Sequence, residues 1–225
     1  MQALAGAGAM LNRITIADDD RSLFEDWYNF QHLPERVGIP GFRRARRWVD
    51  AAGSRDGRTR FLTIYETDDV DVLASAPYLR ALDAPTDLTR RVVPLFAEFR
   101  RSACRVTAVC GSGATGRCVA VDLDPATPVP DGLTGALARL RDEHLLHLGS
   151  LYEPDAAIGA AKAATSEGRA SATQQDAEAA LLLLEPQPGV PATALLGALD
   201  LVPAADPEEY ELLFELRQDE PGARR

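Results

Sequence analysis

The chain has 225 residues, 24 Lys and Arg against 34 Asp and Glu, a formal net charge of −10 and a pI near 4.8. That charge excludes sequence-independent nucleic-acid binding, which needs a positive field. A content of 46% apolar and 26% charged residues excludes a disordered chain, and a chain of this length buries about 70% of its unfolded surface without a covalent staple.

Residues 1–10 carry no Lys or Arg ahead of their apolar stretch, so they lack the positive start of a secretory signal and are expected to form a frayed tail. Residues 11–17 alternate and carry two Ile and a Thr, a strand pattern. Asp18-Asp19-Asp20 follows as a turn, and Ser22 with Glu25 reads as a capping box. The helix it opens is expected to run to about Leu33, where Pro34 helps to end it. Phe42–Val49 and Arg60–Thr67 read as strands joined by a hairpin loop. Val70–Leu82 reads as a short helix broken near Pro77, with a further helical turn from Thr86 and a fourth strand between Leu95 and Cys110. The order is β-α-β-β-α-β, a split βαβ unit.

Gly111–Gly116 satisfies G-x-G-x-x-G but leads into a strand rather than a helix, so it reads as a linker and not as a dinucleotide fingerprint. The pattern then restarts. Val119–Leu123 is a strand, and Leu133, Leu137 and Leu140 mark a helix reaching about His147. Leu148–Tyr152, Ala179–Glu185 and Tyr210–Leu216 are strands, and Pro191–Leu199 is a helix. Residues 154–178, rich in Ala, Ser, Gly and Gln, read as an insertion that could act as a lid.

The expected domain organisation is a first repeat over 11–110, a linker at 111–117, a second repeat over 118–217 and a tail at 218–225. The expected fold class is therefore α+β: tandem ferredoxin-like repeats packing sheet to sheet as an intrachain pseudo-dimer, with a pocket between the sheets. A further homodimer of whole chains is left open. Cys104, Cys110 and Cys118 are an odd count without C-x-x-C, which supports neither a disulfide framework nor a zinc knuckle. No apolar run reaches the ~18–20 residues of a membrane helix, and the expected location is the cytoplasm.

Trp27-Tyr28 and His32-Leu33-Pro34, followed by Pro40-Gly41-Phe42, Ala45-Arg46-Arg47 and Tyr65-Glu66, resemble the EthD-like members of the dimeric α+β barrel superfamily. These carry W-Y-x-x-x-H-x-P followed by P-G-F. The resemblance covers residues 11–105; the later half is similar in its order of elements only. It implies a small-molecule pocket but no single reaction, because the superfamily holds cyclases, isomerases, oxygenases and haem enzymes. The family's acidic residue before the histidine is Gln31 here, whereas Glu143 precedes His144 in the later half.

Tyr28 and His32 lie four apart, on one helical face continued by Phe24. An imidazole beside a phenol can move protons near neutral pH, so His32 is read as acid or base and Tyr28 as a donor to a carbonyl or enolate oxygen. Helix–sheet packing with a local hydrogen bond is the alternative. Trp27, Gln31, Phe61 and Tyr65 are expected to line the pocket. Alternation pairs Arg44 and Arg46 with Phe42 and Trp48, and sets Arg43 and Arg47 with Ala45 and Val49. Arg44 and Arg46 are expected to meet an anionic or carbonyl ligand, or else to lie exposed among surface acids.

His144 and His147 form H-x-x-H without an evident third ligand, so no metal site is expected, although a haem role is kept as an alternative. Three functions follow. The first is a cofactor-independent cyclase, isomerase or lyase on a small carbonyl-bearing or aromatic, polyketide-like molecule. The second is a non-catalytic binding or stress-associated protein, and the third a haem-dependent or cofactor-free oxygenase. No nucleic-acid or membrane partner is expected.

Overall fold

The computed structural model describes residues 4–158, 174–176 and 179–218, which form nine strands. They are β1 (Gly8–Ala17), β2 (Phe42–Asp50), β3 (Arg58–Thr67), β4 (Phe96–Gly111), β5 (Arg117–Asp122), β6 (Leu146–Pro154), β7 (Gln174–Asp176), β8 (Leu181–Pro186) and β9 (Glu208–Arg217). The helices are short: α1 (Arg21–Trp27), α2 (Leu33–Val37), α3 (Ala76–Asp83), α4 (Asp87–Val92), α5 (Leu133–Asp142) and α6 (Ala192–Leu196).

The expected pair of stacked ferredoxin-like sheets is not what forms. Eight strands close into one antiparallel barrel in the order β1-β3-β2-β9-β5-β8-β6-β4, with β4 returning to β1. Strand edges explain the difference. Two stacked sheets would leave rows of unpaired N–H and C=O groups at their edges. Here β2 pairs with β9 from Arg44 to Asp50, and β4 pairs with β6 from Cys104 to Gly111. Gly111 ends the second seam with φ near +100°, and a Cβ there would stand 2.0 Å from the His147 carbonyl oxygen. The tandem-repeat, pseudo-dimeric reading is therefore replaced by a single barrel with a few helices outside it.

The space expected to be a pocket is the barrel lumen, and it is filled. Trp48, Tyr152, Tyr210, Leu62, Leu181 and Leu183 belong to one buried cluster there. Ion pairs span it at both ends. β1 and β5 are opposite in the strand order, yet Arg13 Nη1 lies 2.8 Å from both carboxylate oxygens of Asp122. At the other end Arg46 bonds Glu185 through Nη1, and Arg44 Nη2 bonds Glu66 at 2.6 Å. The free carboxylate oxygens accept from backbone: Glu66 from Ala5 N–H at 2.6 Å, and Glu185 from Thr115 N–H at 2.8 Å. Burial opposes the charge on Arg46, but Glu185, Tyr152 and Glu66 outweigh it and hold its pKa above the usual value.

Several local expectations also change. Gly8–Met10, expected in the tail, belong to β1, and Ala9 and Met10 are fully buried. The Ser22–Glu25 capping box does not form; Glu25 instead accepts from Arg21 at 2.9 Å. Pro77 sits in the first turn of α3 rather than breaking a helix, and Ser75 caps that turn. α5 ends at Asp142, because His144 takes a left-handed φ of 59° and turns the chain into β6. Most of the insertion expected at 154–178 lies outside the described residues, as do 219–225 of the tail. No described helix is long and apolar enough to cross a membrane.

The buried pairs make a specific stability prediction. Arg46→Met strands Glu185 in the lumen and is expected to cost about 3–5 kcal/mol in urea unfolding. Arg46→Met combined with Glu185→Leu should recover most of that loss. A single variant within about 1 kcal/mol of the parent would show that the pair is not buried as described.

Candidate functional site

Helix α1 meets a proline it cannot run through unchanged. Pro34 has no N–H and its ring crowds the carbonyl one turn back. The chain answers with a π turn over Tyr28–His32, closed by the Leu33 N–H donating to the Tyr28 carbonyl, before α2 resumes. The helix expected to end near Leu33 therefore continues to Val37. Such wide turns often mark functional sites. This one places residues five apart in contact: the His32 ring lies 4.4 Å from Trp27 at an interplanar angle of 35°. Tyr28 remains close, with its ring 5.1 Å from His32.

These side chains face the outer surface of the barrel, beneath the helices. Tyr65, from β3, donates its hydroxyl to Tyr28 Oη at 3.3 Å. Asn12, from β1, donates Nδ2 to the same oxygen at 3.4 Å, and Arg101, from β4, donates Nε to Asn12 Oδ1 at 3.2 Å. Trp27, Tyr28, His32, Tyr65, Asn12 and Arg101 are all at most 3% exposed. Burial and the neighbouring Tyr28 hold the Tyr65 phenol well above its ordinary pKa, so it stays protonated at neutral pH. Trp27, Tyr28, His32, Asn12 and Arg101, together with Ile14, Val93, Phe96 and Phe99, bound a cavity of about 10 Å³, the scale of one water molecule, and Tyr65 stands behind Tyr28.

Gln31 takes a role that its sequence position did not suggest. Its Nε2 donates to Thr86 Oγ1, and also to Thr89 Oγ1 at 3.5 Å. Trp27 Nε1 donates to the same Thr89 oxygen at 3.1 Å. Phe61 packs at one remove, 5.0 Å from Phe24, which is itself 5.1 Å from Tyr28.

Arg44 and Arg46 are not brought to this group. A bulge between Phe42 and Arg44 shifts the register, so Phe42 joins the outer core while Arg44, Arg46 and Trp48 point into the lumen. Both arginines are buried against Glu66 and Glu185, neither free for a ligand nor exposed among surface acids.

Arg47, which alternation set beside Arg43, is fully buried under α1, whereas Arg43 is exposed and bonded to Asp68. The Arg47 guanidinium carbon lies 4.6 Å from the Phe61 ring centroid and 5.2 Å from those of Phe24 and Tyr28, and its Nη1 donates to Asn29 Oδ1 at 2.8 Å. Burial holds its pKa below the usual value, against the pull of Tyr28 and Glu25.

Asn12, Arg101 and Arg47 are the site residues that sequence reasoning missed. Asn12 shares its strand face with Met10 and Ile14, and Arg101 with Phe99 and Ala103, so each is a polar residue on an otherwise apolar face beneath the helices.

The later half builds no counterpart. The space between its sheet and α5 is aliphatic, with Val119, Val121, Leu137, Leu140, Leu182 and Leu184 at most 1% exposed. Glu143 and His144 sit exposed on the turn after α5, and His147 is in β6. Among the described residues no three His, Cys, Asp or Glu side chains group as metal ligands. A larger cavity, about 810 Å³, opens at the barrel mouth among Arg13, Arg60, Arg100, Asp50, Asp122 and Glu208. Its charges answer one another: Arg60 bonds Asp50 and Glu208, and Arg13 bonds Asp122. The chamber around His32, polar groups set in an aromatic wall, is the better candidate for chemistry.

No family model matches this sequence, and no curated protein matches it. Solved structures do resemble it along nearly the whole chain. One, described as an anthrone oxidase-like protein, is 13% identical, with 98% of this chain and 97% of that one covered at a TM-score of 0.56. Another, a proposed monooxygenase from Lactobacillus acidophilus NCFM, is 11% identical, with 94% and 97% covered at a TM-score of 0.51. At these identities the likeness establishes a shared fold and nothing finer.

Proposed function

We propose that this chain is a cofactor-independent enzyme that removes a proton from a small enolisable or phenolic aromatic molecule, using the chamber between Trp27 of α1, the π turn, Val93 and the outer face of β1 and β4. One observation carries the reading. A buried imidazole, a phenol, a carboxamide and a guanidinium line one small chamber in an otherwise apolar wall, with a second phenol donating to the first from behind.

The roles follow from chemistry. His32 is the group that can accept a proton near neutral pH. Tyr28 and Asn12 can donate hydrogen bonds into the chamber, Tyr65 donates to Tyr28 from behind, and Arg101 adds positive charge next to Asn12. A donor set of this kind suits an oxyanion that develops as the proton leaves. Trp27, Phe96 and Phe99 offer faces and edges to a planar substrate. An aromatic enolate reacts with dioxygen directly, which links this chemistry to the oxidase and monooxygenase descriptions of the structural neighbours. The name of one of them supports an anthrone-type substrate, and the Trp27–Pro34 segment supports placing the chain among EthD-like proteins.

A second reading, ligand binding without turnover, is favoured by Gln31. Its amide is committed to Thr86 and Thr89, where the EthD-like pattern carries an acidic residue before the histidine.

Two measurements separate these readings. With the hydroxy-anthrone dithranol as probe, the parent protein is expected to accelerate formation of the quinone above the spontaneous rate. His32→Ala should lower kcat by roughly 10²- to 10⁴-fold and leave dithranol affinity, measured by Trp27 quenching, little changed. Tyr28→Phe should lower kcat by roughly 10²-fold. Binding of dithranol with no acceleration, and no effect of either substitution on product, would favour the binding protein.

A further inference from the structure

We infer that helix α4 is the door of the His32 chamber, and that the side-chain chain Trp27–Thr89–Thr86–Gln31 is its latch. This rests on the chamber being the ligand site, as proposed above.

The starting point is a mismatch of size. The chamber holds about one water molecule, whereas the proposed function asks its polar groups and aromatic walls to take an organic guest. One wall must therefore move for a guest to enter. The sheet wall, which supplies Asn12, Ile14, Phe99 and Arg101, belongs to a closed barrel whose lumen is spanned by ion pairs, so it is the stiff side. The opposite wall consists of the π turn and the segment from α4 into the turn Val93–Leu95, which contributes Val93 to the lining.

α4 is built to come away as a unit. It has six residues, less than two turns, and is preceded by the irregular stretch Ala84–Thr86. Helices this short have little stability of their own and depend on docking. Thr86 caps α4 by accepting from the Thr89 N–H at 3.1 Å, so the cap travels with the helix. The contacts crossing to the π turn are side-chain hydrogen bonds: Trp27 Nε1 to Thr89 Oγ1 at 3.1 Å, and Gln31 Nε2 to Thr86 Oγ1. Thr86 Oγ1 also donates to Thr89 Oγ1 at 2.9 Å, which ties the two halves of the latch together. Val92 and Leu88 provide apolar seating beneath it. The latch holds Trp27, which stacks on His32, so its opening also releases the ring that covers the imidazole.

The test reads access to His32 and needs no turnover. Diethyl pyrocarbonate carbethoxylates accessible imidazoles, and peptide mass spectrometry separates His32 from His144 and His147. The double variant Gln31→Leu/Thr89→Val removes the latch but keeps the cap, and is expected to raise the His32 modification rate roughly tenfold while the rates at His144 and His147 stay unchanged. In the converse variant, Gln31→Cys/Thr86→Cys, the oxidised cross-link is expected to suppress His32 modification, and dithiothreitol to restore it. If the double variant does not fold, the cross-linked protein alone decides. An unchanged His32 rate on unlatching, or undiminished modification when cross-linked, overturns the proposal. Loss of dithranol turnover in His32→Ala with unchanged modification behaviour in the latch variants would keep the function and reject the door.

Discussion

Arg46 delivers its charge to Glu185 across the inside of a closed barrel, and much of the molecule follows from that contact. A lumen spanned by Arg46–Glu185 at one end and Arg13–Asp122 at the other has little room or free polarity for a guest. Buried pairs of this kind add little net stability, because desolvation consumes most of the attraction. They do penalise every alternative in which one partner is buried alone. They thus favour the registers that bring β2 to β9 and β4 to β6, and they tie the N-terminal residue Ala5 and the connector residue Thr115 into the same network.

With the inside closed, the outer face of the sheet is what remains for binding. The two halves of the chain use it differently. Under α5 the interface is aliphatic and dry, as helix–sheet packing usually is. Under α1 the same kind of interface holds His32, Tyr28, Tyr65, Asn12 and Arg101. Burying polar groups is costly unless they bond one another, and Tyr65, Tyr28, Asn12 and Arg101 do so through a chain reaching from β3 to the π turn to β1 to β4. The π turn makes this possible: it absorbs Pro34 and brings Trp27 onto His32 in one distortion. Arg47, placed among the rings of Phe24, Tyr28 and Phe61, fills the far side of that interface with a cation where an apolar residue would be expected.

The strands were legible because their signal is local. Alternation over residues 11–17 and 60–67 put the strands within a few residues of their observed bounds. How those strands associate was not legible. Arg46 and Glu185 are 139 residues apart, and nothing near Arg46 announces an acid across a lumen, so β2 read as a surface strand with one ligand-facing side. The bulge at Phe42–Arg44 is equally silent in the letters. Of the site, Trp27, Tyr28, His32 and Tyr65 could be found because aromatic and titratable residues at helical spacing are conspicuous. Asn12 and Arg101 could not, because single polar residues in strands usually face water.

The most direct test is a crystal structure of the protein with dithranol bound. The account predicts ring density between Trp27, Phe96 and Phe99 on the outer face of the barrel, with a ligand oxygen near Tyr28 Oη and Asn12 Nδ2 and the lumen pairs intact. Ring density inside the barrel, among Trp48, Tyr152 and Tyr210 with Arg46 parted from Glu185, would contradict it.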